Sequence, residues 1–357
     1  WQQIVGHDAV IEQLRSAAAR GRMATSYLFV GPDGVGKRTT ALALAKVMLC
    51  QATPEAELSA CGHCPSCQQA AAGTHPDILQ VAKPEDKSEL PIALLIGDKE
   101  HRLREGLCYE VGLKPMLGRR KFAIIDDADH LNEEGANSLL KTLEEPPAGS
   151  VLILISTSLQ RQLPTIRSRC QVMRFAPLPA ERVAELLVTH GATENRELAL
   201  AAARRGDGGL TSAIAALGSG FDEARRPLLA ALCKQPLNIA EVEASLGNFA
   251  AGEGKSKQAG RAQSQQALQL CADFYRQWMR QLAGGVALED AELADFAARA
   301  ANQCRLDMDQ VMQCLERVLE AMRQIDRNAY AKLWPLSLAA DLAAVYAGHR
   351  ITIADVA

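Results

Sequence analysis

Four cysteines lie close together in the segment CQATPEAELSACGHCPSC, at Cys50, Cys61, Cys64 and Cys67. The overlapping C-x2-C steps place three thiolates within reach of one ion, and the fourth comes from the end of a preceding helical segment. Four sulfurs with no further donor form the closed tetrahedral set of a structural zinc site. Free cysteines clustered by chance in a loop are the alternative. A disulfide framework is disfavoured, because the chain is long and its other cysteines are scattered singly through apolar stretches.

A glycine-rich loop precedes the cysteine segment. The sequence SYLFVGPDGVGKRTTALALAKVML predicts a strand at Ser26–Val30, then the pattern G-x-x-x-x-G-K, then a helix. Gly31, Gly34, Gly36 and Lys37 allow backbone amides and one ammonium to surround a phosphate, and the helix N-terminus adds its dipole. The chain therefore has a candidate phosphate site, and a loop that no longer holds any ligand is the alternative.

The position after Lys37 determines how such a site handles magnesium. A Ser or Thr is expected there as a metal ligand, but this chain has Arg38. Thr39 follows, and one residue along a helix is about 100° of rotation, so its hydroxyl should point away from the metal position. Thr39 is kept as a candidate nucleotide-binding residue. Whether ATP with Mg²⁺ is a cofactor of this chain stays open at this point.

A second part of the same site is predicted after the apolar strand Phe122–Ile125. Asp126 and Asp127 follow this strand directly. Carboxylates at this place orient magnesium and polarise the attacking water in phosphate-loop enzymes. The alternative is an acidic cap on the next helix, because Asp129 and Asn132 precede the segment NEEGANSLLKTLEE. The two interpretations are compatible.

A third strand is predicted at Val151–Ile155, where a continuous apolar run is typical of a strand buried on both faces. Thr157 lies at its C-terminal end, which is the ligand edge of an open α/β sheet. A loop and a short helix carrying Arg169 then lead into a fourth strand, Gln171–Phe175. Strands and helices that alternate at this spacing predict an α/β fold with a mostly parallel sheet.

Taken together, these motifs resemble those of bacterial DNA polymerase III clamp-loader subunits of the AAA+ class. The resemblance rests on IVGHDAVIEQL, GPDGVGK, ACGHCPSCQQAAAGTHPD, IIDDADHL, NSLLKTLEEPP and LPTIRSRC. It is strong over about the first half of the chain and weak over the rest. It implies an AAA+ P-loop domain with an inserted zinc module, a helical lid and an all-α collar domain that holds a ring of subunits together.

Within this family the chain most resembles the delta-prime class. Motor subunits combine an intact phosphate loop, an Asp-Glu pair and a lid arginine. At these three places this chain has Arg38, Asp127 and Thr211. Because Arg204–Arg205 lie near Thr211, the absence of the lid arginine stays open. Asp127 is one methylene shorter than Glu, and a displacement of ~1 Å can cost on the order of 100-fold in rate. The retained SRC implies that Arg169 is an arginine finger that reaches the nucleotide of a neighbouring subunit. A surface arginine paired with an acidic residue is the alternative.

The resemblance therefore implies a largely non-hydrolysing scaffold that helps load the sliding clamp on primed DNA and activates a neighbouring ATPase in trans. An active, gamma/tau-like motor subunit of the same machine is the alternative. An unrelated zinc-bearing AAA+ ATPase of recombination or repair is disfavoured by SRC and LLKTLEEPP. The implied partners are other clamp-loader subunits in a hetero-oligomeric ring, with the sliding clamp and primer–template DNA reached through the complex.

Composition narrows the function classes further. A chain of 357 residues that is 48% hydrophobic is long enough for two or three domains. Its net charge of −3 argues against a free-standing nucleic-acid binder, which would be basic. No apolar run reaches the ~18 residues of a membrane span, and no secretory segment opens the chain, so we expect no membrane association and a cytoplasmic location. A start at Trp1 instead of Met suggests trimming.

Three domains are predicted: an AAA+ domain at residues 1–178 with the zinc module at about 50–75, a helical lid at 179–220 and a helical collar at 221–357. Residues 249–266, rich in Gly, Lys and Gln, are interpreted as a flexible loop. Apolar residues at helical spacing predict two buried helix faces in the collar. These residues are Cys271, Phe274 or Tyr275, Trp278 and Leu282 on one face, and Val311, Leu315, Val318, Leu319, Met322 and Ile325 on the other.

Overall fold

The chain folds into two compact units, Trp1–Ala215 and Ala216–Ala357, and each is described by itself. The three predicted domain ranges, with a boundary at residue 220, stay predictions. No helix among the described residues is long and apolar enough to cross a membrane. The computed structural model describes residues 1, 4–84, 87, 89–102, 104–206, 208–217, 221–250, 257–285, 290–326 and 333–351.

The first unit is built around a five-stranded sheet in which every neighbouring pair is parallel. The strand order is β2-β3-β4-β1-β5. The four strands expected from the sequence are confirmed to within about a residue at each end. The strands are β1 (Ser26–Val30), β2 (Ile78–Val81), β3 (Lys121–Ile125), β4 (Ser150–Ser156) and β5 (Gln171–Arg174).

Burial explains why three of these strands are continuous apolar runs. Every residue of β1, β3 and β4 is buried, as expected for central strands covered on both faces. Alternate side chains enter two cores: Phe29 and Ile153 pack with α1 and α2 on one face, and Leu28 and Leu152 pack on the other. The helices of this unit are α1 (Asp8–Ala19), α2 (Lys37–Met48), α3 (Pro65–Ala72), α4 (Ile92–Ile96), α5 (Leu107–Gly112), α6 (Glu133–Glu144), α7 (Pro164–Arg167), α8 (Ala180–Thr189), α9 (Arg196–Arg205) and α10 (Leu210–Ala216).

The described part of the second unit is helical. Its core contains Trp278 packed edge-on against Phe274 and Tyr346. The two predicted helix faces are confirmed, except that Leu282 is exposed. The helices are α11 (Phe221–Leu232), α12 (Ile239–Ala250), α13 (Lys257–Leu282), α14 (Ala291–Gln303), α15 (Met308–Asp326) and α16 (Trp334–Tyr346).

The interpretation of residues 249–266 as one flexible loop is wrong for most of its length. Phe249 and Ala250 end α12, and residues 257–266 form the first part of the long helix α13. Residues 251–256 lie outside the described residues. Ala, Gln, Lys and Arg, which dominate 257–266, all have high helix propensity, and the single Gly260 costs only about 1 kcal/mol in a helix. Polar composition alone therefore does not indicate a loop.

A buried carboxylate, Asp77, fixes the segment that leads into β3. It accepts hydrogen bonds from the backbone amides of Met116, Leu117 and Gly118 at 2.6, 2.8 and 2.8 Å. Burial raises the pKa of this carboxyl, but the three amides and His75 outweigh it, so the pKa lies below its ordinary value. Met116, which is 75% exposed, is thus held through its backbone amide by Asp77.

A buried chain of hydrogen bonds connects Asp77 to the end of α2. Ser66 Oγ donates to the Leu49 carbonyl at 2.7 Å, so it accepts from His75 Nε2 at 2.9 Å. His75 Nδ1 in turn accepts from the Asp77 amide at 3.1 Å. This pattern requires the neutral ring, and burial lowers the pKa of His75 accordingly.

Replacing Asp77 with Asn should lower the free energy of unfolding by about 1–3 kcal/mol, because its NH₂ group cannot accept the bonds that the carboxylate accepts. Since the folded-state pKa is depressed, the stabilisation by Asp77 is present above its unfolded pKa of about 3.9 and is lost as pH falls further. Chemical denaturation at neutral and acidic pH measures both effects. Asp98→Asn, at an exposed carboxylate that also accepts backbone amides, is the control. Equal losses for the two variants would contradict the argument.

Candidate functional site: a four-cysteine centre and a phosphate loop

The four cysteines predicted as metal ligands come together in space. Their Sγ atoms all lie within 4.8 Å of one another. A tetrahedral ion with Zn–S distances of about 2.3 Å separates its sulfurs by roughly 3.8 Å, so only a small closure is required. Within the described part of the chain, no other group of three or more His, Cys, Asp or Glu side chains has a metal-binding arrangement. The cluster can therefore hold a metal ion.

Local structure explains how the cysteines converge. Cys50 follows the last turn of α2, and Cys64 is the N-cap of α3, whose first turn carries Cys67. Backbone amides donate to three of the sulfurs: Cys61 to Cys50, Cys64 to Cys61, and Cys67 to Cys64, at 3.3–3.4 Å. Amides that point at sulfur stabilise thiolate, which is the form that binds a metal.

The thiol pKa values differ strongly within the cluster. Burial raises the pKa of Cys50, but hydrogen bonds from Cys61 and Thr53 outweigh it and hold the value at about 5. Burial raises the pKa of Cys67 to about 12. A bound cation would displace the remaining protons, so metal binding should be coupled to proton release.

Side-chain contacts also attach this module to the sheet. Arg120, which precedes β3, forms a bidentate ion pair with Glu55 at 2.8–2.9 Å. Ser66, between the third and fourth cysteines, bonds to Leu49 and His75 as described above. The position of the module therefore does not depend on an ion alone.

The phosphate loop has glycines with positive φ at the predicted places, and the ammonium group of its lysine is bonded to carbonyls of the same loop. Gly34 and Gly36 have φ of +75° and +99°, which favour glycine. The buried Lys37 Nζ donates to the carbonyls of Gly31 and Pro32 at 2.5 and 2.7 Å and lies 3.8 Å from Asp33. Burial lowers the pKa of Lys37, although Asp33 and the acidic residues after β3 act to raise it.

Arg38 places its guanidinium against Asp126, the first carboxylate after β3. Arg38 Nε lies 3.7 Å from Asp126 Oδ2, and Nη2 donates to Gln80 of β2 at 3.1 Å. Burial and Asp127 raise the pKa of Asp126, and Arg38 and Lys37 counteract them. An exposed side-chain cation thus lies near the carboxylate that would otherwise orient magnesium. Thr39 is exposed and has no described contact with Asp126.

The start of α10 packs directly on the phosphate loop. The Leu210 amide donates to the Gly34 carbonyl at 3.1 Å. A Cβ at Gly34 would lie 2.4 Å from the Thr211 amide nitrogen, and one at Gly209 would lie 2.0 Å from the Asp33 carbonyl. The segment that contains Thr211, where a lid arginine is expected, therefore packs so closely on the loop that neither Gly34 nor Gly209 has space for a Cβ.

Asp129 belongs to the site rather than to a helix cap. The cap of α6 is Asn132, which accepts from the Gly135 amide at 2.8 Å. Asp129 instead accepts from the Thr157 hydroxyl and amide at 2.5 and 2.7 Å and from Ser156 at 2.5 Å. Thr157, predicted at the ligand edge, is thus turned toward Asp129. Asp127 is exposed, with φ of +54°.

Arg169 lies just after the short helix α7, between β4 and β5. Its side chain is 32% exposed, and its guanidinium contacts Glu144 at the end of α6, with Nη2 2.6 Å from Oε1. Nη1 also donates to the Thr165 carbonyl at 2.9 Å and to Ser168 Oγ at 3.1 Å. Sequence reasoning did not identify Glu144, Gln80 or the role of Asp129, because each acts on a residue distant in sequence.

The sheet-containing unit is similar to proteins of a known family. The family model described as "DNA polymerase III, delta subunit" matches residues 6–179. Residues 6–179 are therefore similar to bacterial DNA polymerase III clamp-loader subunits. The clamp-loader match places the phosphate loop, the four cysteines and Arg169 within one matched segment.

Individual relatives agree with the clamp-loader assignment. The DNA polymerase III subunit delta' of Pseudomonas aeruginosa is 42% identical over 50% of this chain and 48% of its own length. The Escherichia coli K12 subunit delta' is 34% identical over 62% of this chain and 63% of its own length. A gamma/tau subunit of Mycobacterium bovis is 35% identical over 52% of this chain and 30% of its own length. The chain therefore matches less than two thirds of each of these relatives.

Replacing Cys64 with Ser should weaken metal binding by on the order of 100-fold or more, because ligand loss should exceed the 10–100-fold cost of losing a supporting contact. Elemental analysis of protein purified in reductant measures the bound metal. Cys108→Ser, at a cysteine outside the cluster, should keep it. Metal loss should make residues 50–67 more accessible to protease, while the sheet should stay folded because its strands are held by their own apolar cores. Metal-free unmutated protein would contradict the site.

Replacing Arg38 with Ser should make nucleotide binding depend on Mg²⁺, because Asp126 loses its side-chain cation and gains a neighbouring hydroxyl. We expect Mg²⁺ to strengthen binding about tenfold in this variant, or ~1.4 kcal/mol, and to have little effect on the unmutated chain. Titration with a fluorescent ATP analogue, with and without Mg²⁺, measures this. Arg38→Lys retains the cation and should resemble the unmutated chain; a Mg²⁺ dependence already present there would contradict the argument.

Proposed function

We propose that the chain is a delta-prime-like subunit of the DNA polymerase III clamp loader, which helps place the sliding clamp on primed DNA. Its part in the machine is that of a scaffold that contributes Arg169 to the nucleotide site of a neighbouring ATPase subunit. Its partners are the other clamp-loader subunits in a hetero-oligomeric ring, with the clamp and primer–template DNA reached through that assembly in the cytoplasm.

The single observation that carries this proposal is the contact between Arg38 and Asp126. The guanidinium of Arg38 lies near Asp126, the carboxylate that would orient magnesium, and this disfavours ATP hydrolysis at the chain's own site. The packing of Leu210 and Thr211 on Gly34 points the same way. Arg169, by contrast, lies outside the phosphate loop and has a partly exposed side chain. A finger that serves a neighbour's nucleotide is independent of the state of its own chain's site.

We further propose that the metal is zinc and that its role is structural. Four thiolates form a soft donor set that favours Zn²⁺ over Mg²⁺ or Ca²⁺, and a complete tetrahedral set leaves no position for substrate. Cys50, Cys61, Cys64 and Cys67 would hold it. When bound, zinc would cross-link the end of α2 to the start of α3.

A gamma/tau-like motor is the second candidate, favoured by the 35% identity to a gamma/tau subunit and by the intact Gly34, Gly36 and Lys37. ATP turnover by the isolated chain separates the two candidates. The scaffold should hydrolyse ATP slowly or not at all, whereas a rate within the usual enzyme range of ~1–10³ s⁻¹, abolished by Lys37→Ala, would support the motor.

Arg169→Ala should lower the clamp- and DNA-stimulated ATP turnover of the assembled loader. A trans arginine contributes roughly 10³–10⁵ in kcat in GTPases, but the other sites in the ring should keep their own arginines, so the fall should be partial. Steady-state turnover of the purified assembly is the measurement.

Arg167→Ala is the matched control for this experiment. It removes the same charge two residues away, at the exposed end of α7. Folding and metal content should be unchanged in both variants, because exposed arginines contribute little stability. If the Arg169→Ala assembly forms normally and turns over ATP like the unmutated one, Arg169 is not a finger.

A further inference from the structure

The ion pair between Glu144 and Arg169 joins two sequence motifs that are distant along the chain. Glu144 belongs to LLKTLEEPP and Arg169 to SRC. The two charged groups approach to 2.6 Å, and the backbone carbonyl of Thr165 and the hydroxyl of Ser168 hold the other side of the guanidinium. The arginine therefore has a defined position before any neighbouring subunit is present.

Helix energetics do not account for an acidic residue at this place. Glu144 is the last residue of α6, and Glu145 follows it. The C-terminal end of a helix carries partial negative charge, so carboxylates are unfavourable there. Glu144 and Arg169 are both exposed, and an exposed ion pair adds little to stability. The contact with Arg169 gives Glu144 a role that neither the helix nor the core requires.

We propose that Glu144 is a positioning residue for Arg169, and this inference rests on the proposed function of Arg169. The carboxylate restricts a long, flexible side chain to one orientation, so the guanidinium is already ordered when the neighbour's phosphate arrives. Ordering a group in advance removes an entropic cost from the step in which it acts. Glu144 acts through Arg169 and does not itself contact the nucleotide.

An arginine finger acts on the charge of the transition state, so losing its orientation should affect kcat and leave the KM for ATP nearly unchanged. Glu144→Ala should lower the part of loader turnover that depends on Arg169 about two- to fivefold, the range expected for one exposed ion pair. Glu144→Gln keeps a hydrogen-bond acceptor and should recover part of the loss. Combining Glu144→Ala with Arg169→Ala should give the turnover of Arg169→Ala alone.

Glu145→Ala is the matched control, since it removes the same charge from the same helix end, and no contact with Arg169 is described for Glu145. It should leave turnover unchanged. In the isolated subunit, NMR relaxation of the Arg169 side-chain Nε should show greater mobility after Glu144→Ala but not after Glu145→Ala. This measurement needs neither a neighbour nor nucleotide, and thermal unfolding of each variant confirms that it is folded.

The outcomes separate the two claims. If Arg169→Ala lowers turnover but Glu144→Ala does not, the role of Glu144 is overturned and the proposed function remains. The same holds if Arg169 is equally mobile in the Glu144→Ala and Glu145→Ala variants. A fall with Glu144→Ala that persists in the Arg169→Ala background, or a change confined to KM, also overturns it. If Arg169→Ala has no effect in a normally assembled loader, the proposed function is wrong and the role of Glu144 falls with it.

Discussion

The parallel pairing of β4 between β1 and β3 is the constraint on which the rest of the first unit depends. It aligns the carboxyl ends of three buried strands on one edge, so that the phosphate loop, Asp126 and Thr157 follow neighbouring strands. The pairing is possible only because residues on both faces of these strands are apolar and are covered by helices. Polar side chains therefore collect at the strand ends, which is where chemistry can take place.

At this edge the polar groups satisfy one another. The ammonium of Lys37 is bonded to carbonyls of its own loop, Arg38 lies beside Asp126, and Thr157 is bonded to Asp129. Buried or half-buried charges require such partners, because an unpaired charge in the interior is costly. The loop therefore has the backbone geometry of a phosphate site, while its ammonium group is bonded to carbonyls of the same loop.

Much of this architecture could be predicted from sequence, because the signals are local. Apolar runs located β1, β3 and β4, the alternation of strands and helices located β5, and close spacing located the four cysteines. The errors share a physical cause. The helical start of α13 was hidden by polar residues with high helix propensity. The partners of Asp129 and Arg169, namely Thr157 and Glu144, lie some 25 residues or more away in sequence, and no local pattern encodes contacts of that kind.

The attachment of the cysteine module to the sheet has an evolutionary consequence. Arg120 and Ser66 tether the segment around the cysteines at two separate points, neither of which involves sulfur. A descendant chain that lost one cysteine would keep these tethers, and with them much of the outline of the module. Metal binding and module shape are thus separable traits, so lineages of such subunits could lose the ion gradually without first losing the fold.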